Sequence, residues 1–171
     1  MKTGQIKKAL KRLDELGGVT RHLDSVVSYW RTEFEPATDG DYSFFTNIYA
    51  DGGASLSARR AGAPDGEYFW GRGYGADDYA SDKALLEAFV NDVVTVLASP
   101  TRIRQSKGFL FYAFSCEVNR AGAWEGLGEH TAFRYGGFKF PPAKKRVTEY
   151  QSPALPRTNR GQSDATLEKS P

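Results

Sequence analysis

Apolar residues recur along this chain in two rhythms, one helical and one alternating. Ile6, Leu10, Leu13 and Leu16 fall on one face of a short helix that Gly17 and Gly18 end. Val19, Leu23, Val26, Val27, Trp30 and Phe34 continue at helical spacing, with Arg21, Asp24 and Arg31 off the stripe, and predict a second helix over residues 20–33. The β-branched and aromatic residues of SVVSYWRTEF also fit a strand there. Pro36 and the turn residues after it close either element.

Residues 42–50 and 54–60 flank Asp51-Gly52-Gly53, whose types accept the positive φ angles of a tight hairpin turn. In the second arm Ala54, Leu56 and Ala58 alternate with Ser55, Ser57 and Arg59, so that arm has one wet face. Residues 67–72 predict a third strand, which breaks up at Gly71, Gly73 and Gly75. Ser81 or Asp82 caps a helix whose Leu85, Leu86, Phe89, Val90, Val93, Val94 and Leu97 form a broad apolar face, stopped by Ser99-Pro100.

A basic connector, TRIRQSK, leads into KGFLFYAFSCEV, the most apolar run of the chain, which reads as a central strand over 107–118. NRAGAWEGLGEH makes the next loop, and residues 131–140 return as a final strand with a bulge or close backbone approach at Gly136-Gly137. The order predicts an α+β fold: one antiparallel sheet of about five strands, a meander plus a C-terminal hairpin, packed against two to three helices. Residues 1–141 make one domain. Apolar density collapses from 142 to 171, which predicts a disordered, basic, Pro-containing tail.

A chain of 171 residues buries a core without staples. Its lone cysteine, Cys116, excludes an internal disulfide framework and reads as a small buried hydrophobe. The basic N-terminus lacks the continuous apolar core of a signal peptide, and no run approaches a membrane span. A cytoplasmic setting without membrane contact is therefore expected. The net charge of +2 is concentrated at the two ends, through Lys2, Lys7, Lys8, Lys11 and Arg12 and through Lys144, Lys145, Arg146, Arg157, Arg160 and Lys169. The body between them is mildly acidic.

Catalytic chemistry finds little support. His22 and His130 stand in no metal-binding or nucleophile-activating spacing. Asp77 and Asp78, with Asp82 and Glu67, gather a divalent ion only if strand and helix converge, and helix N-terminal acids explain them without metal. No cofactor and no metal site is assigned. The stretch FWGRGYG, residues 69–75, has the glycines of a phosphate-cradling turn, but the two aspartates after it repel phosphate and no Lys-Ser/Thr pair completes the loop. Trp, Tyr and Arg are the side chains that most often anchor interfaces, so Trp70, Arg72 and Tyr74 are the first partner-binding candidates. Trp124 in the second Gly-rich loop is either a core plug or a further anchor.

The segment from Lys107 to Phe114, KGFLFYAF, resembles the ribonucleoprotein octapeptide of RNA-recognition domains, and SFFTNI at 43–48 resembles the partner hexapeptide. Leu110 and Tyr112 depart from the octapeptide pattern. The resemblance implies base stacking on Phe44, Phe109 and Phe111, with Lys107, Arg102 and Arg104 supplying positive charge. In its order of elements the region 26–97 is similar to the ArdB-type antirestriction proteins, a likeness of layout with no shared motif and no residues carried over.

The expected function is that of a small non-enzymatic protein that binds a macromolecule, first of all a protein. It would be an inhibitor, immunity or anti-defence accessory of a microbe or mobile element, acting through its Gly-aromatic loops. The alternatives are single-stranded nucleic-acid binding through the aromatic sheet face and basic termini, and a small metal-dependent enzyme using Asp77, Asp78 and His130.

Overall fold

The computed structural model describes residues 1–36, 40–60, 68–107, 111–133 and 146–154. Helix α1 spans Thr3–Glu15 and buries Ile6, Ala9 and Leu13, the face that the spacing predicts. Its end is fixed by the two glycines. Gly17 takes φ 87° and its N–H donates to the Asp14 carbonyl at 2.9 Å, while the Gly18 N–H donates to the Leu13 carbonyl at 3.2 Å. Those two bonds satisfy helix carbonyls that would otherwise be orphaned. Gly18 is also required by space, because a Cβ there would lie 2.3 Å from Thr32 Cγ2.

The helix expected over 20–33 is instead a β-hairpin, β1 (Val19–Leu23) and β2 (Tyr29–Glu33), paired from Val19↔Glu33 to Leu23↔Tyr29. Its turn is tied by the Ser28 hydroxyl, which donates to Asp24 Oδ1 at 2.9 Å, and Val26 stands fully exposed at the tip. Strand-favouring residues in both arms outweigh the helical spacing, and the valine that completed the apolar stripe sits in the turn. The meander follows as expected: β3 (Tyr42–Tyr49), β4 (Ala54–Arg60) and β5 (Tyr68–Tyr74). β5 is not broken at its glycines, since Gly71 and Gly73 pair with Ser57 and Ser55. Together the five strands form one antiparallel sheet in the order β1-β2-β3-β4-β5.

Helix α2 spans Asp82–Ala98, with the Ser81 hydroxyl oxygen accepting from the Ala84 N–H at 3.2 Å. The remaining elements build a second sheet, in the order β8-β7-β6-β9, from β6 (Thr101–Lys107), β7 (Phe111–Arg120), β8 (Ala123–Phe133) and β9 (Arg146–Ser152). Three expectations are corrected here. The connector TRIRQSK is strand β6, whose Thr101 and Ile103 are buried between solvent-side arginines. The loop expected over 119–130 is a turn at Ala121 and Gly122 followed by β8, where a register shift leaves Leu127 as the extra, buried residue. Residues 146–152 of the expected tail form β9 against β6, and residues from 155 onward lie outside the described residues.

The central apolar run is strand β7, flanked by β6 and β8. Lys107 belongs to β6, residues 108–110 lie outside the described residues, and of the strand expected over 131–140 only 131–133 are described. The fold is α+β, with two antiparallel sheets in place of one. One cluster of buried apolar residues draws on both helices and both sheets. The sheets are joined at Tyr42, whose hydroxyl donates to Thr101 Oγ1 at 2.7 Å, and at Trp70, whose indole N–H donates to the Gly128 carbonyl at 3.4 Å. Among the described residues no helix is long and apolar enough to cross a membrane.

Candidate partner-binding face

Alternation along β5 decides the fate of the Gly-aromatic stretch. Trp70, Arg72 and Tyr74 share one face of the strand, and that face is the inner one. Trp70 is 0 % exposed and Tyr74 is buried with it, so neither can anchor a partner. The loop reading of FWGRGYG is overturned because these residues are strand, and the core takes their rings. The Arg72 guanidinium lies 3.3 Å from Asp92 Oδ2 and also donates to the Leu127 carbonyl. Trp124 is 36 % exposed on the outer side of the four-stranded sheet, with the Arg102 guanidinium 4.2 Å above its ring. It is an exposed side chain, not a core plug.

The Tyr74 hydroxyl donates to Asp92 Oδ2 at 2.7 Å. Burial first, and then that bond to a carboxylate, push its ionisation far above the ordinary tyrosine range; burial does the same to Tyr42. The sign follows from linkage. The stability these groups contribute is complete below the unfolded-state value near 10 and is lost as pH rises beyond it, because only the unfolded chain ionises there. Tyr74→Phe should cost about 1–2 kcal/mol at neutral pH and make the alkaline decline in melting temperature shallower. Burial likewise raises the Cys116 thiol to about 12, which removes it as a nucleophile at neutral pH.

The residues expected to hold nucleic acid are placed elsewhere. Phe44 is buried edge-on against Tyr42 in the core and offers no stacking surface. Arg102 Nε and Nη2 both lie 2.6 Å from Glu117 Oε2. The Arg104 guanidinium reaches Glu117 at 3.7 Å and Glu149 at 3.1 Å. Both arginines are therefore neutralised by carboxylates. Lys107 and Phe111 lie at the paired ends of β6 and β7, and Phe109 is outside the described residues. Asp77 and Asp78 are exposed in a short turn, Glu67 lies outside the described residues, and no metal-binding group of acids, histidines or cysteines forms among the described residues. The layout likeness to antirestriction proteins also lapses, since its opening helix is strand β2.

What the fold does assemble is the outer face of the five-stranded sheet. Pairing aligns Arg21, Arg31, Asn47, Ser55 and Gly73 in one row across all five strands, and Val19, Glu33, Phe45, Ser57 and Gly71 in the next. Leu23, Tyr29 and Tyr49 begin a third. The helices pack on the opposite face, where Leu13, Leu85 and Phe89 share one buried cluster with Ile48, Leu56 and Trp70. The Arg31 guanidinium lies 4.6 Å above the Phe45 ring, and Tyr29 and Tyr49 pack at 5.8 Å. Glu33 reaches Arg59 at 4.0 Å; Arg21 and Arg31 meet no carboxylate among the described residues.

Along Gly71, Arg72 and Gly73 of β5 the face drops into a cleft of about 300 Å³ walled by Phe45, Asn47, Tyr49, Ser55 and Ser57. A Cβ at Gly73 would meet nothing within 4 Å. A larger groove of about 630 Å³ runs between α1 and α2 over Ala9, Leu86 and Val90, but charges on its rim pair with one another, Arg12 with Glu15 and Lys83 with Glu87. No known protein-family model, curated protein or solved structure matches the chain.

Sequence reasoning did not single out Arg31, Asn47 or Tyr49. Half of the signal was visible in the wet face of β4, where Ser55, Ser57 and Arg59 alternate with the core residues. The other half needed cross-strand register.

Proposed function

We propose that this is a non-enzymatic protein-binding module whose partner lays an acidic surface on the outer face of the five-stranded sheet. The observation that carries it is the row of Arg21 and Arg31, without carboxylate partners among the described residues, beside the half-buried rings of Tyr29 and Tyr49. Arginine and tyrosine are the types that dominate interface hot spots, and cations without a carboxylate beside them select an acidic counterpart and speed its approach. Occupying a partner in this way is how an inhibitor or immunity protein works, and that is the class we propose.

A pull-down from the native host tests it. Arg31→Glu should weaken capture at least tenfold, about 1.4 kcal/mol or more. Lys7→Glu, the same charge change on exposed α1, should leave capture unaltered. A partner retained in full by an Arg21→Glu, Arg31→Glu double variant with unchanged melting temperature would refute the docking face.

A further inference from the structure

We infer that the open edge of β1 receives an extended segment of the partner as an added strand, with an acidic residue set opposite Arg21. The inference rests on the docking face proposed above and names the part of the partner that reaches it. β1 is the outermost strand of the five-stranded sheet and pairs on one side only, with β2. Hydrogen-bond alternation fixes which of its backbone groups are left over. The Phe34 N–H donates to the Phe44 carbonyl and the Ala50 N–H to the Ser28 carbonyl, so Trp30 and Thr32 turn their backbone to β3. Tyr29, Arg31 and Glu33 then turn theirs to Leu23, Arg21 and Val19 of β1, and the N–H and carbonyl of Thr20 and His22 point away from the sheet. Among the described residues no hydrogen bond reaches those outward groups. Such an edge is a template for a further strand. The edge of β9 is closed by contrast: the Asp41 N–H donates to the Gln151 carbonyl at 2.9 Å, and the Gln151 N–H donates to Asp41 Oδ2 at 2.8 Å.

Side chains choose the occupant. In an antiparallel added strand the residue opposite Arg21 holds a non-hydrogen-bonded position, with Cα atoms about 4.5 Å apart, where side chains come closest. Arg21 is exposed and meets no carboxylate among the described residues, so an acid there completes an ion pair. Val19, 59 % exposed, and Leu23 lie on the same face and favour apolar residues two positions to either side of the acid. One residue out of register, the acid would turn to the other face. There Asp14 Oδ1 lies 2.8 Å from Thr20 Oγ1 and Asp24 Oδ1 lies 3.7 Å from His22 Nε2, and both carboxylates would repel it. A second copy is a poor occupant, because β1 laid antiparallel on itself about its centre sets Arg21 opposite Arg21.

The capped peptide acetyl-TVTETVT-amide is a suitable probe, with acetyl-TVTKTVT-amide as its charge-reversed control, read by ¹H–¹⁵N NMR on the full chain. The glutamate peptide should move the Thr20 and His22 backbone amides saturably, at a dissociation constant of about 0.1–1 mM. The lysine peptide should bind at least tenfold more weakly, and Arg21→Glu should reverse that preference. Methylating the nitrogens of the two threonines beside the glutamate removes the donors that face β1 and should abolish binding. Methylating the glutamate nitrogen, which faces solvent, should not. His22→Pro deletes an outward N–H and leaves the β1–β2 bonds in place, so it should fold and lose both the glutamate peptide and the partner. Absence of saturable shifts at Thr20 and His22, equal binding of the two peptides, or indifference to threonine methylation overturns the inference, and the docking face stands if Arg31→Glu still weakens capture. A folded His22→Pro variant that captures the partner in full overturns it as well. So does a dimer in sedimentation that His22→Pro dissociates, which would give the edge to a second copy.

Discussion

Trp70→Ala should remove most of the stability of this protein, about 3–5 kcal/mol by urea denaturation. The indole is fully buried in β5 opposite Ala58, among the largest side chains of the core. Its truncation opens a cavity that the paired strands on one side and α2 on the other cannot collapse into. It also strands the Gly128 carbonyl, because the Trp70 N–H bond at 3.4 Å is one of the ties between the two sheets. Ordinary domains are stable by about 5–15 kcal/mol, so a loss of this size leaves a substantial unfolded population. Trp124→Ala is the internal contrast. That ring is partly exposed and holds mainly the Arg102 guanidinium, an interaction of about 0.5–1 kcal/mol. A Trp70→Ala variant that kept its stability while losing its partner would restore the view that β5 presents its aromatics outward.

Why that view arises from the sequence is instructive. FWGRGYG shows interface-type residues set among glycines, and composition alone does not say which side of a strand they occupy. Alternation sorts them: positions 70, 72 and 74 turn inward, and the bare positions 71 and 73 turn outward. The same ambiguity hides the nucleic-acid candidates, because Phe44 belongs to the inner row of β3 while Phe45, its neighbour, belongs to the outer row.

The legible parts are those whose pattern is local. α1, α2 and the β3–β4 turn carry their own caps and glycines, and each forms where the residues predict. The illegible parts depend on pairing partners distant in sequence. β6 and β9 are short, charged strands whose burial on one face exists only once they pair with each other and with β7. The row from Arg21 to Gly73 is likewise a product of four separate strand registers. A one-residue slip in any of them would turn its members to the other face.

Glu117→Gln should cost about 1.5–3 kcal/mol and decides the standing of the nucleic-acid alternative. Glu117 is 17 % exposed and lies between two guanidiniums, Arg102 at 2.6 Å and Arg104 at 3.7 Å. A neutral amide cannot balance both, so two cations are left facing one another in a half-buried setting, with Glu149 as the remaining counter-charge. The loss should appear as a lower urea midpoint with an unchanged slope, since the denatured chain is little affected. In the wild type these carboxylates cancel the charge that phosphate contacts would need. Arg102→Ala should therefore leave any weak, salt-dependent oligonucleotide binding unchanged, whereas Glu117→Gln, by uncovering the arginines, should strengthen it at low salt. A salt slope that falls by about 1 on Arg102→Ala would show that this arginine contacts phosphate. It would move the functional face from the five-stranded sheet to the outer side of the four-stranded one.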